Sequence, residues 1–308
     1  MSEEKACFKT RVGGQALMEG IMMRGPEKMC VAVRRPNGEI FTQTSDVKER
    51  IWHKLFLVRG ILNMADNLID GYKCLMKSAD ISMDGAEEES KFDKWVAAHF
   101  GKKGTDFIMG LAALCGGLLA IVLFMVLPTA LVGGLNYLVP LGNLKTVLEA
   151  VFKLMMLVGY MWVVGFMPEI RRVFSYHGAE HKTIACYEAG EELTVENIRR
   201  HRRFHPRCGT SFLLIVVLIS ILLFSVLPWT STIWRVALKL LLLPLVVGIS
   251  YEIIKLCGRY DNVLTRAISA PGLWLQNLTT KEPDDSMIEV AIAAVLPVLP
   301  EKKEDALW

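Results

Sequence analysis

The sequence predicts a mainly α-helical, polytopic membrane protein with about four transmembrane helices and a small cytosolic α+β segment at its N-terminal end. Two observations lead to this class. Hydrophobic residues make up 52% of the 308 residues, and they cluster in long runs instead of spreading evenly along the chain. Four of these runs carry few charges and approach the ~20 residues that a helix needs to cross a bilayer.

Charge and cysteine content narrow the functional class. The formal net charge is only +3, so the charge balance gives no reason to expect a nucleic-acid partner. The chain has 7 cysteines, an odd number without paired spacing, which argues against a disulfide framework and fits a reducing, cytosolic environment. The polar start MSEEKACFKT lacks the apolar stretch of a secretory signal, so no such signal is expected.

Residues 1–100 are predicted to form the cytosolic N-terminal segment. Residues 30–43 have the pattern of two short strands around Asn37-Gly38, a dipeptide that favours tight hairpin turns. Between residues 48 and 78, apolar residues recur at helical spacing, which predicts an amphipathic helix lying on the bilayer or on the helical bundle. The acidic stretch at 84–90 is expected to be a solvated linker.

Residues 101–260 are predicted to form a transmembrane bundle. The predicted spans are residues 107–127, 147–168, 212–227 and 236–256. Prolines and glycines at 128–140 indicate a loop after the first span. The outer end of the second span carries Glu149 and Lys153, which at i and i+4 can neutralise each other or extend towards the interface. Lys239 lies close to the outer end of the fourth span.

The distribution of basic residues predicts the orientation in the membrane. Eight Arg and Lys residues lie within a central loop predicted at residues 171–210, and the tail after Lys255 is also basic. The outer loops carry only Lys145 and Arg235. By the positive-inside rule, both termini and the central loop are expected in the cytoplasm of a multi-pass plasma-membrane protein. Residues 261–308 are expected to form an interfacial segment and a tail.

Two pairs of matching segments indicate a duplicated helical hairpin. The first and third spans both end in Val-Leu-Pro, and the second and fourth share the pattern VVGxxxEI. A duplication would place Glu169 and Glu252 at equivalent inner ends of the spans. The alternative is that apolar segments built from few residue types match by chance.

The central loop has the residue types of a transition-metal site, with four of the chain's 6 histidines. His177 and His181 follow the pattern H-x-x-E-H, which on a helix puts both imidazoles on one face with Glu180 beside them. In zinc peptidases of the inverted type this arrangement supplies two ligands and a general base. His205 and Cys208 precede the third span and would complete a tetrahedral site. Alternatively, three of the four residues bind and one position stays open for water.

A thiolate ligand favours zinc, with iron as the alternative, over magnesium or calcium. Glu180 is the expected catalytic base. Four further carboxylates are candidates for lining the site: Glu19, Glu169, Glu188 and Glu252. The competing interpretation is a basic surface that sets topology and touches anionic lipid. His201 is expected to be an exposed loop residue, and Cys186 a buried, inert thiol.

Four motifs together resemble a known family. GGQALMEGIMMRGP, YHGAEHKTI, FHPRCGTSF and PGLWLQNLTTKEPDD are similar to the YqhQ-type family of bacterial integral membrane proteins of unknown function, over about residues 8–295. Members are commonly labelled predicted metal-dependent enzymes. The resemblance therefore implies a metal role for His177, Glu180, His181, His205 and Cys208, and it supplies neither a substrate nor a reaction.

Two hypotheses from different functional classes follow. The first is a metal-dependent enzyme, a hydrolase at the cytosolic membrane face, in which Glu180 activates water and the substrate is a lipid-linked or peptide molecule. The second is a non-enzymatic assembly or quality-control factor that binds other membrane proteins and uses the metal only to hold the central loop. A metal-ion transporter is less favoured, because transport requires ionisable groups near the bilayer midplane and the spans show almost none there.

Overall fold

The computed structural model describes residues 8–47, 55–83, 108, 110–206, 208–260 and 262–300. The predicted acidic linker, the start of the predicted amphipathic helix and the charged tail lie outside these residues. The chain divides into two compact units. The first unit comprises Met1–Asp84, Met161–Ile219 and Pro244–Trp308, and the second comprises Gly85–Tyr160 and Ser220–Leu243.

The N-terminal part of the first unit is a four-stranded antiparallel sheet in chain order. Its strands are β1 Gly13–Leu17, β2 Gly20–Arg24, β3 Lys28–Arg34 and β4 Ile40–Asp46. The predicted hairpin is confirmed, since β3 pairs with β4 and Gly38 takes a positive φ of 90°, which glycine adopts without steric cost. The sequence did not indicate β1 and β2. In β2 four successive residues are buried, so the alternation that marks a half-exposed strand is missing.

The helices follow in chain order. They are α1 Val58–Ser82, α2 Gly110–Leu138, α3 Leu144–Val164, α4 Pro168–Glu188, α5 Val195–Arg200, α6 Gly209–Ser225, α7 Thr232–Arg259, α8 Val263–Thr279 and α9 Asp285–Val295, with a 3-10 turn at Leu296–Val298. The predicted central loop at 171–210 therefore contains two helices, α4 and α5.

Helix α9 is the centre of the core of the first unit. Its residues Ile288, Val290, Ala291, Ala294 and Val295 are all completely buried, and they pack with apolar residues of the sheet and of α4. Burial of one such aliphatic side chain contributes about 1.5–3 kcal/mol for Val or Ile. The sequence predicted an interfacial segment in this part of the chain, and the structure shows a core helix.

Within the described ranges, three helices are long and apolar enough to cross a membrane by length and composition: α2, α3 and α7. Many of their large apolar side chains are exposed, including Leu114, Leu118, Trp162 and Leu241, which is the pattern of helices in contact with lipid. The prediction of a helical membrane protein is supported at this level. Helix α6, at the predicted third span, is apolar but has only 17 residues.

The loop predicted at 128–140 is wrong for most of its length. Helix α2 continues to Leu138 through a π-helical turn at Val122–Val126. A proline ring clashes with the carbonyl four residues earlier in a regular α-helix, and Pro128 follows the π-helical turn, where the widened backbone relieves that clash. Pro128 therefore does not end the helix.

The segments that indicated a duplication lie in different structural settings. Val163-Val164 end helix α3, whereas the matching Val246-Val247 lie inside α7. Glu169 is exposed in the first turn of α4, whereas Glu252 is nearly buried in α7. These differences give the duplication no structural support.

Candidate metal centre

The candidate site lies in the first unit, between α4 and the residues that precede α6. His177 and His181 are one helical turn apart on α4, so their rings lie on the same face with centroids 4.4 Å apart. The Nε2 atom of His177 is 3.0 Å from the Sγ atom of Cys208. The ligand atoms of these three residues all lie within 4.8 Å of one another. The structure thus brings together three of the four predicted ligands.

Backbone carbonyls orient both imidazoles. The Nδ1 atom of His177 donates to the carbonyl oxygen of Thr279 at 2.9 Å, and that of His181 donates to the carbonyl oxygen of Arg203 at 2.6 Å. Because Nδ1 carries the proton in each ring, Nε2 of the neutral ring keeps its lone pair towards the centre. Metal-binding histidines are typically held in this way through their second nitrogen.

Gly178 explains why the chain after α8 can approach α4 so closely. A Cβ atom at this position would fall well inside van der Waals contact with the carbonyl oxygen of Lys281. The amide of Lys281 donates to the carbonyl of Phe174 at 2.8 Å, so this strand of backbone runs directly along the helix. The close approach brings the carbonyl of Thr279 to His177.

Glu180 is buried beside the two histidines. Its carboxylate accepts a hydrogen bond from the backbone of Gly14 in β1, and a Cβ atom at Gly14 would lie 3.1 Å from Cδ of Glu180. The Oε2 atom is buried, and among the described residues it has no hydrogen-bond partner. A buried oxygen left without a donor is costly in a folded protein, and a bound cation or water at this position would satisfy it.

His177 and Cys208, which are in contact, form an ion pair in the absence of a metal. Burial by itself raises the pKa of the Cys208 thiol, but the neighbouring His177 and His181 lower it well below its usual value. Burial lowers the pKa of His177, and the Cys208 thiolate and the Glu180 carboxylate outweigh this effect and raise it to about 9. This pairing favours the thiolate form of Cys208, which is the form that binds metals.

Burial and the charged neighbours of Glu180 shift the pKa of its carboxyl group in opposite directions. The loss of solvation raises the pKa of its carboxyl, and His181 and His177 oppose this rise only in part. A carboxylate with a raised pKa accepts a proton more readily than a solvent-exposed one, which is the property that a general base requires. The electrostatics of Glu180 therefore fit a general base.

The fourth predicted ligand, His205, is held by other contacts. Its Nε2 atom lies 3.6 Å from Oε2 of Glu188, and its ring centroid is 5.7 Å from that of His181. The backbone of Thr10 donates to Oε1 of Glu188 at 2.7 Å. His205 and Glu188 thus lie next to the three-residue group but outside it.

The other three candidate carboxylates are placed differently. Glu19 accepts hydrogen bonds from Arg172 at 2.6 Å and from the hydroxyl of Tyr176 at 3.1 Å, so it contacts α4 just before His177. Glu252 pairs with Arg59 of α1. Glu169 is exposed at the start of α4. Among the described residues, none of these three carboxylates is in the three-residue group.

A second group of three metal-binding residue types occurs at the end of α4. The ligand atoms of Cys186, Glu191 and His201 lie within 4.8 Å of one another, and Nε2 of His201 is 3.3 Å from Oε2 of Glu191. The thiol of Cys186 donates to the carbonyl of Glu192 at 3.5 Å. His201 is half-buried and paired, where the sequence predicted an exposed loop residue, and Cys186 is buried as predicted.

Sequence reasoning missed two buried polar residues that hold the site together. Gln276 of α8 is completely buried; it accepts from the amide of His205 at 2.8 Å and donates to its carbonyl at 2.7 Å. Lys182 donates to the carbonyl of Arg199 at 3.0 Å and pairs with Glu282. A polar residue inside an apolar stretch, as in GLWLQNL, was the available signal for Gln276.

Comparisons with known proteins place the chain in a family. The model of a family described as "Protein of unknown function (DUF1385)" matches residues 55–301. The chain belongs to this family. It is also 35% identical over 291 residues to the uncharacterized protein YqhQ of Bacillus subtilis (strain 168), covering 91% of this chain and 89% of that protein. No solved structure is significantly similar to the present chain. The resemblance to the YqhQ-type family is confirmed, while the metal role stays a prediction.

This DUF1385 chain has a cavity of about 430 Å³ whose lining includes the two sequence neighbours of His205. It is lined by Arg202, Phe204, Pro206, Leu273, Trp274 and Asn277. Phe204 and Pro206 flank His205 in the sequence. Leu273, Trp274 and Asn277 belong to α8, which also carries Gln276. Its volume is in the range of small-molecule sites, and its lining combines apolar surface with one guanidinium group.

Proposed function

We propose that the protein is a metal-dependent membrane hydrolase that binds a transition metal, with zinc the expected ion and iron the alternative. One observation carries the proposal. Two imidazoles with carbonyl-bound Nδ1 atoms direct their Nε2 atoms towards the Cys208 thiolate, and Glu180 lies buried beside them with an unpartnered oxygen. A set of two His and one Cys with a nearby carboxylate is typical of zinc sites.

The donor set fits a transition metal better than it fits calcium or magnesium. Thiolate and imidazole donors bind zinc or iron and disfavour the hard cations that prefer oxygen. Three protein ligands leave one coordination position for water or substrate, as in zinc enzymes. When bound, such a metal supplies a Lewis acid for hydrolysis.

In this proposal Glu180 is the proton acceptor. Its burial raises its pKa, so it would take a proton from the attacking water and pass it to the leaving group. The carbonyls of Thr279 and Arg203 hold the rings of His177 and His181 in place, and Gln276 fixes the backbone at His205.

The cavity between the 202–206 segment and α8 supports a substrate with an apolar and an anionic part. The exposed rings of Phe204 and Trp274 offer apolar contact, and Arg202 offers a positive charge. Aromatic side chains of this type are enriched at membrane interfaces. A lipid-linked molecule matches this lining better than a soluble peptide, and we propose that substrate enters here from the inner leaflet.

We further propose a plasma-membrane protein with four spans and both termini in the cytoplasm. Helices α2, α3 and α7 support three of the spans. Helix α6 has 17 residues, which at about 1.5 Å per residue gives a length close to the lower limit for crossing the hydrocarbon core. The basic residues of segment 171–210 support the cytoplasmic side for the site.

A structural metal site in a non-enzymatic assembly or quality-control factor is the second candidate. The observation in its favour is burial, because His181 is 1% exposed and Cys208 is 7% exposed. Structural zinc sites are closed to solvent and have four protein ligands. His205, already beside the group, is the residue that would supply a fourth ligand by a change of rotamer.

Metal analysis of the detergent-purified protein tests the proposal. We expect about one zinc or iron per chain in the wild type, lost in His177→Ala and in His181→Ala. His201→Ala is the matched control, because His201 belongs to the second group of Cys186, Glu191 and His201. The His201→Ala variant should keep the metal bound by His177 and His181. An absence of stoichiometric metal after gentle, chelator-free purification would contradict the metal centre, as would loss of metal from the control alone.

A further inference from the structure

Among its described residues, the second unit contains four buried ionisable side chains within apolar helices. Glu149 and Lys153 lie on α3, and Arg235 and Lys239 lie on α7. Each is at most 6% exposed. A charge in such a position is costly unless it is paired, and ionisable residues inside membrane helices commonly mark a binding site. These residues are separate from the candidate metal centre, whose residues all belong to the first unit.

Both oxygens of Glu149 are occupied by partners outside α3. Its Oε1 atom accepts from the hydroxyl of Thr129 at 2.7 Å and pairs with Lys239. Its Oε2 atom is 3.0 Å from Nη2 of Arg235. The sequence left open whether Glu149 and Lys153 neutralise each other or extend towards the interface; in the structure Glu149 pairs with Arg235 and Lys239 of α7 instead.

The cluster has an excess of positive charge. Three cations face one carboxylate, a formal balance of 3 − 1 = +2. The ammonium group of Lys153 donates to the hydroxyl of Ser220 at 3.1 Å and lies 5.2 Å from the ring centre of Phe224. In the part of the chain that the structure describes, Lys153 forms no ion pair with a carboxylate.

A small cavity of about 10 Å³ lies within this cluster. It is lined by Thr146, Glu149, Ala150, Lys153, Ile221, Phe224 and Arg235. This volume is about that of a single water molecule, so the cavity admits one monatomic ion only when the Lys153 side chain shifts slightly. A multi-atom anion such as phosphate or a lipid headgroup is too large for it.

The cavity lining retains hydrogen-bond donors. Lys153 has three N–H donors and uses one on Ser220. Arg235 uses four of its five on Glu149 and on the carbonyls of Phe224 and Leu227. The hydroxyl of Thr146 accepts from the indole of Trp229 at 3.3 Å, which leaves its own proton to donate. These donors point to an anionic occupant.

We propose that this cavity binds a single halide ion, chloride under cellular conditions, between Lys153 and Arg235. The ion offsets part of the excess positive charge that the apolar helices would otherwise enclose. Binding holds α3 to α7 and to the Ser220 end of α6 within the second unit, so chloride acts as a structural ligand of the helical bundle.

Thermal unfolding in matched salts tests this site. The full-length protein in detergent is compared in sodium chloride and in sodium gluconate at the same ionic strength, with tryptophan fluorescence as the readout. We expect the Tm to rise by several degrees with saturating dependence on chloride, because a ligand that binds only the folded state stabilises it. Equilibrium dialysis with radioactive chloride should give about one ion per chain.

Lys153→Met removes the unpaired cation and should abolish both the chloride-dependent rise in Tm and the bound ion. Lys145→Met is the matched control on the same helix, because Lys145 does not line the cavity, and it should keep both. Lys153→Gln, which can still bond to Ser220, gives the same comparison if the Met variant does not fold. Equal Tm values in the two salts for the wild type, or a chloride effect retained in the Lys153 variant, would overturn the proposal.

Discussion

The Nε2 atom of His177 lies 3.0 Å from the Sγ atom of Cys208, a contact between residues 31 positions apart in the chain. It joins the middle of α4 to the residue just before α6. The contact puts an imidazole and a thiolate at the centre of a buried site, and each residue shifts the pKa of the other.

Glu180→Gln separates the enzyme from the structural interpretation. The amide has nearly the same shape as the carboxylate but cannot accept a proton in the reaction. We expect the variant to keep its metal and most of its Tm and to lose complementation of a deletion strain. Glu169→Gln, at an exposed position of the same helix, is the control and should complement fully. A Glu180→Gln variant that complements as well as the wild type would exclude the catalytic role.

Metal affinity should rise with pH between 6 and 9. In the metal-free chain His177 has a pKa of about 9, so below that pH the His177–Cys208 pair retains one proton that the metal must displace. Apparent affinity for zinc therefore increases by up to about tenfold per pH unit and levels off above about pH 9. Chelator competition across this range measures the slope. Cys208→Ser should bind more weakly with a shallower slope, and a flat profile in the wild type would refute the coupling.

Gly178→Ala should destabilise the protein and weaken the metal site. The added Cβ would collide with the carbonyl of Lys281, so the backbone that carries the Thr279 carbonyl must move away from His177. Overpacking of this kind costs about 1–3 kcal/mol. Gly159→Ala is the control, because a Cβ there meets nothing within 4 Å, and alanine is the better helix former. The Tm and the metal content of both variants check the prediction; similar values in the two would contradict it.

Gln276→Ala should lower the free energy of unfolding more than the neighbouring substitution Asn277→Ala does. The substitution leaves the amide and the carbonyl of His205 without their buried partner, at a cost of about 1–3 kcal/mol for each group. Asn277→Ala, on the exposed face of the same helix, should change the free energy of unfolding by less than about 1 kcal/mol. Denaturant unfolding in detergent compares the two variants, and equal losses would show that Gln276 does not position His205.

Local patterns accounted for part of the fold and of the site. The Asn37-Gly38 turn, the long apolar helices and the one-turn spacing of His177 and His181 all depend on residues close in sequence. The strand β2 could not be recognised in the same way, because it is buried on both faces and has no alternation. Proline at 128 was misleading, since a π-helical turn accommodates it.

The sequence by itself determined the residue types available for chemistry, the helical spacing of the histidines and the apolar length of the membrane helices. These properties follow from composition and from the geometry of a single helix. Only the tertiary structure decided that Cys208 joins His177 and His181 while His205 turns to Glu188, and that Glu149 pairs with Arg235 and Lys239. Such pairings depend on how separate helices pack, and no local pattern encodes the distance between side chains that are far apart in the chain.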